Sequence, residues 1–304
     1  MFRRIVVGAD GTPEGRDAIV LGAAIAEATG AGLTLLRAFP PFLLGSGEAM
    51  TRKAQVHETE RQLWAERRHH APDAHAEIVA DANPARALLS HAEQWRADLI
   101  VIGSRDNVPL GHSAIGRTGR RLLSGSPAAL AIARRGLHEQ GAELSTIAVG
   151  YDGDSASDRA LAFADALALA AQAQLRIHTV HEAPIPVLLR GEPSTPALLE
   201  DLRDGARSGA LEVARRAATT TSVESHVEAE VGDPGEELRE AAEHADLMVI
   251  GSRRWGAIAR VVLGGVGEAL AADCGSSLVI VRHPPEHTSP PAHISPPAHI
   301  SPPA

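Results

Sequence analysis

This chain reads as an α/β protein made of two tandem doubly wound domains, each with a five-stranded parallel sheet. The segment Asp98-Leu99-Ile100-Val101-Ile102-Gly103-Ser104-Arg105 returns as Asp246-Leu247-Met248-Val249-Ile250-Gly251-Ser252-Arg253. Ile5-Val6-Val7-Gly8-Ala9-Asp10-Gly11 returns as Ile147-Ala148-Val149-Gly150-Tyr151-Asp152-Gly153, and Pro84 recurs as Pro234, so the landmarks repeat with a period of about 145 residues. That is the length of a whole domain and far longer than a solenoid unit. Aromatic residues make up only 3% of the chain while Ala, Val, Leu and Ile dominate, which suits helices packed on β-branched parallel strands.

The first copy opens with a strand at residues 3–8, which stops at Gly8-Ala9-Asp10. An Ala-rich helical pattern leads to a strand at 32–39, and a long charged helix to a strand at 75–80. Pro84 begins the next helix, which leads to the unbroken apolar strand at 98–103 and, after one more helix, to a strand at 128–133. The second copy repeats these strands at 146–150, 174–181, 225–231, 246–251 and 277–282. Strands alternating with helices are βαβ units, and unbroken apolar runs are what strands covered on both faces require.

The domains are expected at residues 1–137 and 145–283, joined by a polar linker from Gly136 to Leu144. The fifth strands, Ala129 to Ala133 and Ser277 to Val281, are apolar and would be exposed edges in isolated domains. Antiparallel pairing of the two removes both edges and makes the chain an intrachain pseudo-dimer with a pseudo-two-fold axis. A homodimer is compatible with the same sequence. Residues 284–304 form a Pro- and His-rich tail with His287, His293 and His299 spaced six apart. It is expected to be disordered and solvated, because it offers too little apolar surface to order itself.

A net charge of −9 argues against nucleic acid or an anionic membrane as partner, since both need a basic face. Cys274 is the only cysteine, so neither an intrachain disulfide nor a Cys-based zinc site can form. Met1-Phe2-Arg3-Arg4 begins like a signal peptide, but the apolar run after it is too short for one, and no stretch reaches about 18 apolar residues. A cytoplasmic protein is expected. HExxH and G-x-S-x-G motifs are missing, and nothing specifies a general base, so the chain is not expected to be an enzyme.

In an open parallel sheet, ligands bind outside the carboxyl ends of the strands. The repeated features fall there: Asp10 and Asp152 after the first strands, Gly103 and Gly251 at the ends of the fourth, Gly116 and Gly264 at the openings of the following helices. A glycine lets backbone approach a ligand closely, and a helix N-terminus offers N–H groups to phosphate oxygens.

These residues resemble the universal stress protein family in its tandem form, over about residues 3–282. ATP-binding members carry Gly, two residues, Gly, nine residues, Gly and then Ser or Thr after the fourth strand. Gly103 and Gly116, and again Gly251 and Gly264, fit the first and third glycines. Asp106 and Arg254 replace the second glycine, and Arg117 and Gly265 replace the Ser or Thr. The resemblance implies that Asp10 and Asp152 contact the nucleoside, that the backbone at Ala38 and Val180 meets adenine, and that Thr118 and Val266 continue the phosphate-facing turn. It implies an adenine nucleotide partner, ATP with or without Mg2+, held as a regulatory ligand without turnover. Two other readings stay open: a nucleotide-free scaffold acting through protein contacts, and a slow ATPase or phosphotransferase.

The substitutions act unequally. Asp106 puts a negative charge where phosphates would lie. Arg117, Arg120 and Arg121 put cations at a helix start, against its dipole by about 0.3–1 kcal/mol each unless they reach solvent or meet an anion. Gly264-Gly265 leaves the second helix entrance open, so the second copy is the more permissive cradle. Gly111 to Thr118 has the outline of a Walker A loop with Arg for Lys, but a true one follows its strand directly and the second copy has no equivalent.

Overall fold

The computed structural model describes residues 2–40, 49–126, 128–182, 196–255, 260–262 and 264–282. The expected tail at 284–304 lies outside these residues. The first copy comprises β1 (Arg4–Gly8), α1 (Pro13–Thr29), β2 (Gly32–Phe39), α2 (Ala49–His70), β3 (His75–Ala80), α3 (Pro84–Trp95), β4 (Leu99–Gly103), α4 (Arg117–Gly125) and β5 (Ala129–Ala133). A short α5 (Leu137–Gln140) leads to β6 (Thr146–Gly150), α6 (Ser155–Ala171), β7 (Gln174–Glu182), α7 (Pro196–Ala218), β8 (Ser225–Gly232), α8 (Pro234–Glu243) and β9 (Leu247–Gly251). The last elements are β10 (Arg253–Trp255), β11 (Arg260–Val262), α9 (Gly265–Ala272) and β12 (Ser277–Val281).

The protein is α/β, with two doubly wound units in tandem. Their sheets are halves of one ten-stranded sheet, ordered β3-β2-β1-β4-β5-β12-β9-β6-β7-β8. Every neighbouring pair in that sheet is parallel except β5 with β12, which is antiparallel with Leu278 opposite Ile132, Val279 opposite Ala131 and Ile280 opposite Leu130. The edge pairing expected from the apolar fifth strands is therefore present. The antiparallel hairpin of β10 and β11 was not anticipated.

Alternate strand residues feed two apolar layers. Val7, Leu35, Val101, Ala131, Val149, Val249 and Val279 pack with α1 and α6, while Val6, Leu36, Ile100, Ile132, Met248, Ile250 and Ile280 pack with α3, α4, α8 and α9. Both layers run through the seam between the copies. Among the described residues no helix is long and apolar enough to cross a membrane.

Local chemistry explains why the copies share their landmarks. The Asp98 carboxylate accepts from the backbone N–H groups of Arg3 (2.6 Å) and Arg4 (3.0 Å), and the Asp246 carboxylate from those of Ser145 and Thr146 (2.9 Å each). Each aspartate closes the start of its unit's central strand. Pro84 and Pro234 stand at the first helical position behind the capping side chains Asn83 and Asp233, where a missing N–H costs nothing.

The linker is partly structured. Asp17, fully buried in α1, accepts from the backbone N–H groups of Gly136 (2.9 Å) and His138 (2.8 Å) and contacts the His138 Nδ1 at 2.5 Å. This clamp docks α5 on α1. Asp17→Ala strips an acceptor from two enclosed N–H groups at about 1–3 kcal/mol each. It should therefore lower the urea unfolding free energy by about 2–5 kcal/mol, and a change below about 0.5 kcal/mol would show that α5 is held by other contacts.

Candidate functional site

A cavity opens at the carboxyl end of the strands in each copy. The first, of about 330 Å³, is lined by Asp10, Thr12, Leu36, Ala38, Leu88, Ile102, Gly103, Asp106, Gly116, Arg117 and Thr118, among others. The second, of about 650 Å³, is lined by Asp152, Asp154, His178, Val180, His181, Glu182, Asp233, Leu238, Gly251, Gly264, Gly265 and Val266, among others. The sequence-derived residues thus come together in two equivalent places. Arg254 lies on β10, and its side chain is outside the described residues.

Asp10 is fixed by its own turn, its Oδ1 accepting from the Thr12 backbone N–H (3.0 Å) and hydroxyl (2.6 Å). It does not itself cap α1. Thr12 does, accepting from the Gly15 N–H at 3.0 Å, so Asp10 acts one step earlier by setting the capping residue. In the second copy Asp152 accepts from the Asp154 N–H, and Asp154 caps α6 by accepting from Ala156 and Ser157. Gly11 and Gly153 take positive φ (90° and 84°), which only glycine adopts freely.

The two turns are braced by different residues, neither of which the motif reading singled out. The buried Arg37 of β2 donates through Nε to the Ala9 carbonyl and through Nη2 to Glu66 of α2, both at 2.6 Å. The equivalent in β7 is Thr179, and there Tyr151 instead donates its hydroxyl to Asp158 at 2.7 Å. Burial and that carboxylate push the Tyr151 phenol up to about 12.

The glycines divide into two kinds. A Cβ on Gly103 would lie 2.3 Å from the Glu14 carbonyl oxygen, and one on Gly251 would lie 2.4 Å from that of Ala156. Both strand-end glycines line their cavities, and each also lets its strand end meet the first turn of α1 or α6. Among the described residues Gly264 and Gly265 have nothing within 4 Å of a built Cβ, and Gly116 only the Arg105 Cβ at 3.7 Å. Gly116 and Gly264 are the N-caps of α4 and α9, and among the described residues neither helix has a side-chain capping bond, whereas α1, α3, α6 and α8 all do. Two helix starts that face cavities therefore keep their N–H donors available.

Arg117, Arg120 and Arg121 are exposed, and among the described residues they have no side-chain partner; Asp106 is exposed at the cavity rim. The stretch from Gly111 to Ile115 is spent on the seam. Ser113 exchanges backbone hydrogen bonds with Cys274 (2.8 and 2.9 Å), Ile115 donates to the Ala271 carbonyl (2.8 Å), and His112 Nδ1 meets the Asp273 carboxylate at 2.8 Å. Its Walker-like outline is a structural joint.

The cavity floors also differ. Leu36 lines the first, while its equivalent in the second is His178, which is 6% exposed with Nδ1 3.5 Å from Glu228 and a buried Nε2 that has no hydrogen-bond partner among the described residues. Burial holds His178 below the ordinary 6.5, with Glu228 pulling the other way by less. Sequence reasoning missed it because one histidine inside an apolar strand carries no periodic signal.

Two measurements follow. Gly251→Ala should lower stability by about 1–3 kcal/mol through overpacking against Ala156, while Gly265→Ala, in open space on a helix, should leave stability unchanged or raise it by up to about 1 kcal/mol; equal effects in thermal unfolding would refute the division. His178 binds its proton more weakly folded than unfolded, so its contribution is intact above about 6.5 and is lost as pH falls below it. His178→Leu should flatten the loss of stability between pH 7 and 5, and an unaltered pH profile would show that His178 titrates normally.

The model of the universal stress protein family matches residues 1–134 and 143–282. A universal stress protein from Archaeoglobus fulgidus DSM 4304 is similar in structure, with a TM-score of 0.62 at 17% identity over 92% of this chain and 98% of that one. A functionally unknown protein from Pseudomonas aeruginosa PAO1 is similar with a TM-score of 0.57 at 16% identity, covering 92% of each chain. These likenesses speak for the fold, and the double family match accounts for both units: the chain belongs to the universal stress protein family.

Proposed function

We propose that this is a cytoplasmic stress-response protein that holds ATP or a related adenine nucleotide in its cavities as a regulatory ligand, without turning it over. One observation carries the reading. In both copies a cavity at the carboxyl end of a parallel sheet adjoins a glycine-started helix whose N–H groups have no side-chain cap among the described residues. Donors left open beside an apolar wall, here Leu88 and Ile102 or Leu238 and Ile250, suit a ligand with a planar apolar base and an anionic end. In this reading Asp10 and Asp152 take the nucleoside, the backbone at Ala38 and Val180 takes the base, and the helix entrances at Gly116, Arg117 and Thr118 or at Gly264, Gly265 and Val266 take the phosphates.

The second cavity is the stronger candidate, being larger and open at Gly264 and Gly265. Its rim carries Asp152, Asp154, Glu182 and Asp233. Among the described residues no cluster of three or more His, Cys, Asp or Glu could hold a metal ion, so Mg2+ would enter with the nucleotide. In the first cavity Asp106 opposes a phosphate and Arg117 attracts one. The scaffold reading draws on the same copy, where the loop before α4 already serves the seam through Ser113 and Ile115.

Isothermal titration with ATP separates the readings. Gly264→Val fills the second helix entrance and should remove the tighter site, while Gly116→Val should leave it; the reverse pattern would invert the ranking. A hydroxyl hydrogen bond to a charged group is worth about 1.5–3 kcal/mol, so Gly265→Ser should tighten binding about ten- to a hundred-fold. No binding by the wild type at millimolar ATP would favour the scaffold, and enzyme-dependent phosphate release would favour a slow ATPase.

A further inference from the structure

The second cavity has a polar floor where the first has an apolar one. Leu36 of β2 and His178 of β7 hold equivalent places in the sheet. Each pairs on one side with the last glycine of its unit's first strand, Gly8 or Gly150, and on the other with a glutamate of the third strand, Glu77 or Glu228. The glutamate is common to both units, but the histidine beside it comes from different elements. In the first unit Glu77 meets His91 of α3 at 3.7 Å, and the floor is left to leucine. In the second, Glu228 meets a histidine of the floor itself at 3.5 Å.

That placement fixes what the floor offers. Burial holds His178 below the ordinary 6.5, so the ring is neutral at neutral pH. A neutral imidazole carries one proton, and the carboxylate beside Nδ1 favours placing it there. Nε2 is then an acceptor. It is closed to water and has no hydrogen-bond partner among the described residues, so its lone pair has lost solvent without a replacement, a cost that a bound donor would relieve. Val180 lies two residues further along β7, on the same face of the strand, and lines the cavity as His178 does. A base held at the backbone of Val180 therefore has its inner edge over His178.

We propose that His178 selects the ligand of the second cavity: its Nε2 accepts a hydrogen bond from an N–H of the base, so this cavity takes an amino-bearing base such as adenine in preference to the same base without its amino group. The Cβ–Cγ torsion of a histidine is broad, and a small turn of the ring brings Nε2 to the cavity. Leu36 offers no acceptor, so the first cavity has only apolar contact at the same place. The inference rests on the nucleotide reading and adds to it a contact that the two cavities do not share.

Isothermal titration with ATP and with purine riboside triphosphate, which lacks only the 6-amino group, tests it. In the chain carrying Gly116→Val, which closes the first helix entrance, ATP should bind at least about ten-fold tighter than the analogue. His178→Leu puts at this place the side chain that the first unit already carries there, and it should cut the ratio of the two affinities by about ten-fold. In the chain carrying Gly264→Val, which leaves the first cavity to be read alone, His178→Leu should leave both affinities unchanged. If ATP binds the second cavity and the ratio survives His178→Leu, the amine is read by the backbone alone; the proposal is then wrong and the nucleotide reading stands. Binding that is lost with Gly116→Val and kept with Gly264→Val belongs to the first cavity, which also overturns the proposal and leaves that reading intact. If the wild type binds neither nucleotide at millimolar concentration, both fall.

Discussion

The antiparallel seam between β5 and β12 is the constraint on which the rest of the molecule depends. Each unit ends in an apolar fifth strand, and each such strand alone would be an open edge ready to pair with any other chain. Joining them closes both edges, continues the two apolar layers across the chain and fixes the relative direction of the units. Because the strands run opposite ways, the carboxyl end of one unit faces the amino end of the other's last strand. The loop leading to α4 therefore meets the turn between α9 and β12, and Ser113 and Ile115 hydrogen-bond to Cys274 and Ala271 there. β11, from the loop of the second unit, lies against α4 in turn. The loop before each cavity-facing helix is thus also a joint between units.

Both loops begin and end on glycine, Gly103 and Gly116 in one unit and Gly251 and Gly264 in the other. The strand-end glycine is held by packing, since the first helix of the unit leaves no room for a methyl group. The cap glycine stands beside open space, with only the Arg105 Cβ at 3.7 Å from Gly116 and nothing within 4 Å of Gly264 among the described residues. The two have different physical causes although they belong to one motif.

The sequence made the frame legible because periodicity and breakers report backbone demands directly. Strand positions came within a residue or two of β1 to β9 and β12, and the apolar character of Ala129–Ala133 and Ser277–Val281 was enough to foresee their pairing. The hairpin of β10 and β11 was not foreseeable, because two three-residue strands carry no usable alternation. Asp17, Arg37 and His178 were missed for a shared reason: each is a polar residue inside an apolar element, and what makes it important is a partner tens of residues away. For the cavities, the spacing of Asp10, Ala38, Gly103 and Gly116 found the walls, but nothing local announced that Leu36 and His178 form different floors.

What the copies share and what they have exchanged therefore mean different things. Asp98 and Asp246 satisfy strand-start N–H groups, Pro84 and Pro234 begin helices, and Gly103 and Gly251 admit a helix turn. Each is a solution to a backbone problem that both units have, so each is repeated. Leu36 against His178, Arg37 against Thr179 and Asp17 against Arg159 occupy equivalent places with unlike chemistry, at the cavity floor, the turn brace and the clamp. Arg37 and Asp17 serve backbone groups of the first unit, the Ala9 carbonyl and the Gly136 and His138 N–H groups, through bonds that Thr179 and Arg159 cannot reproduce in kind. Strong resemblance between the halves therefore locates the scaffold, while the two cavities differ where unlike residues line equivalent places, Leu36 against His178 at the floor and Arg117 against Gly265 at the helix entrance.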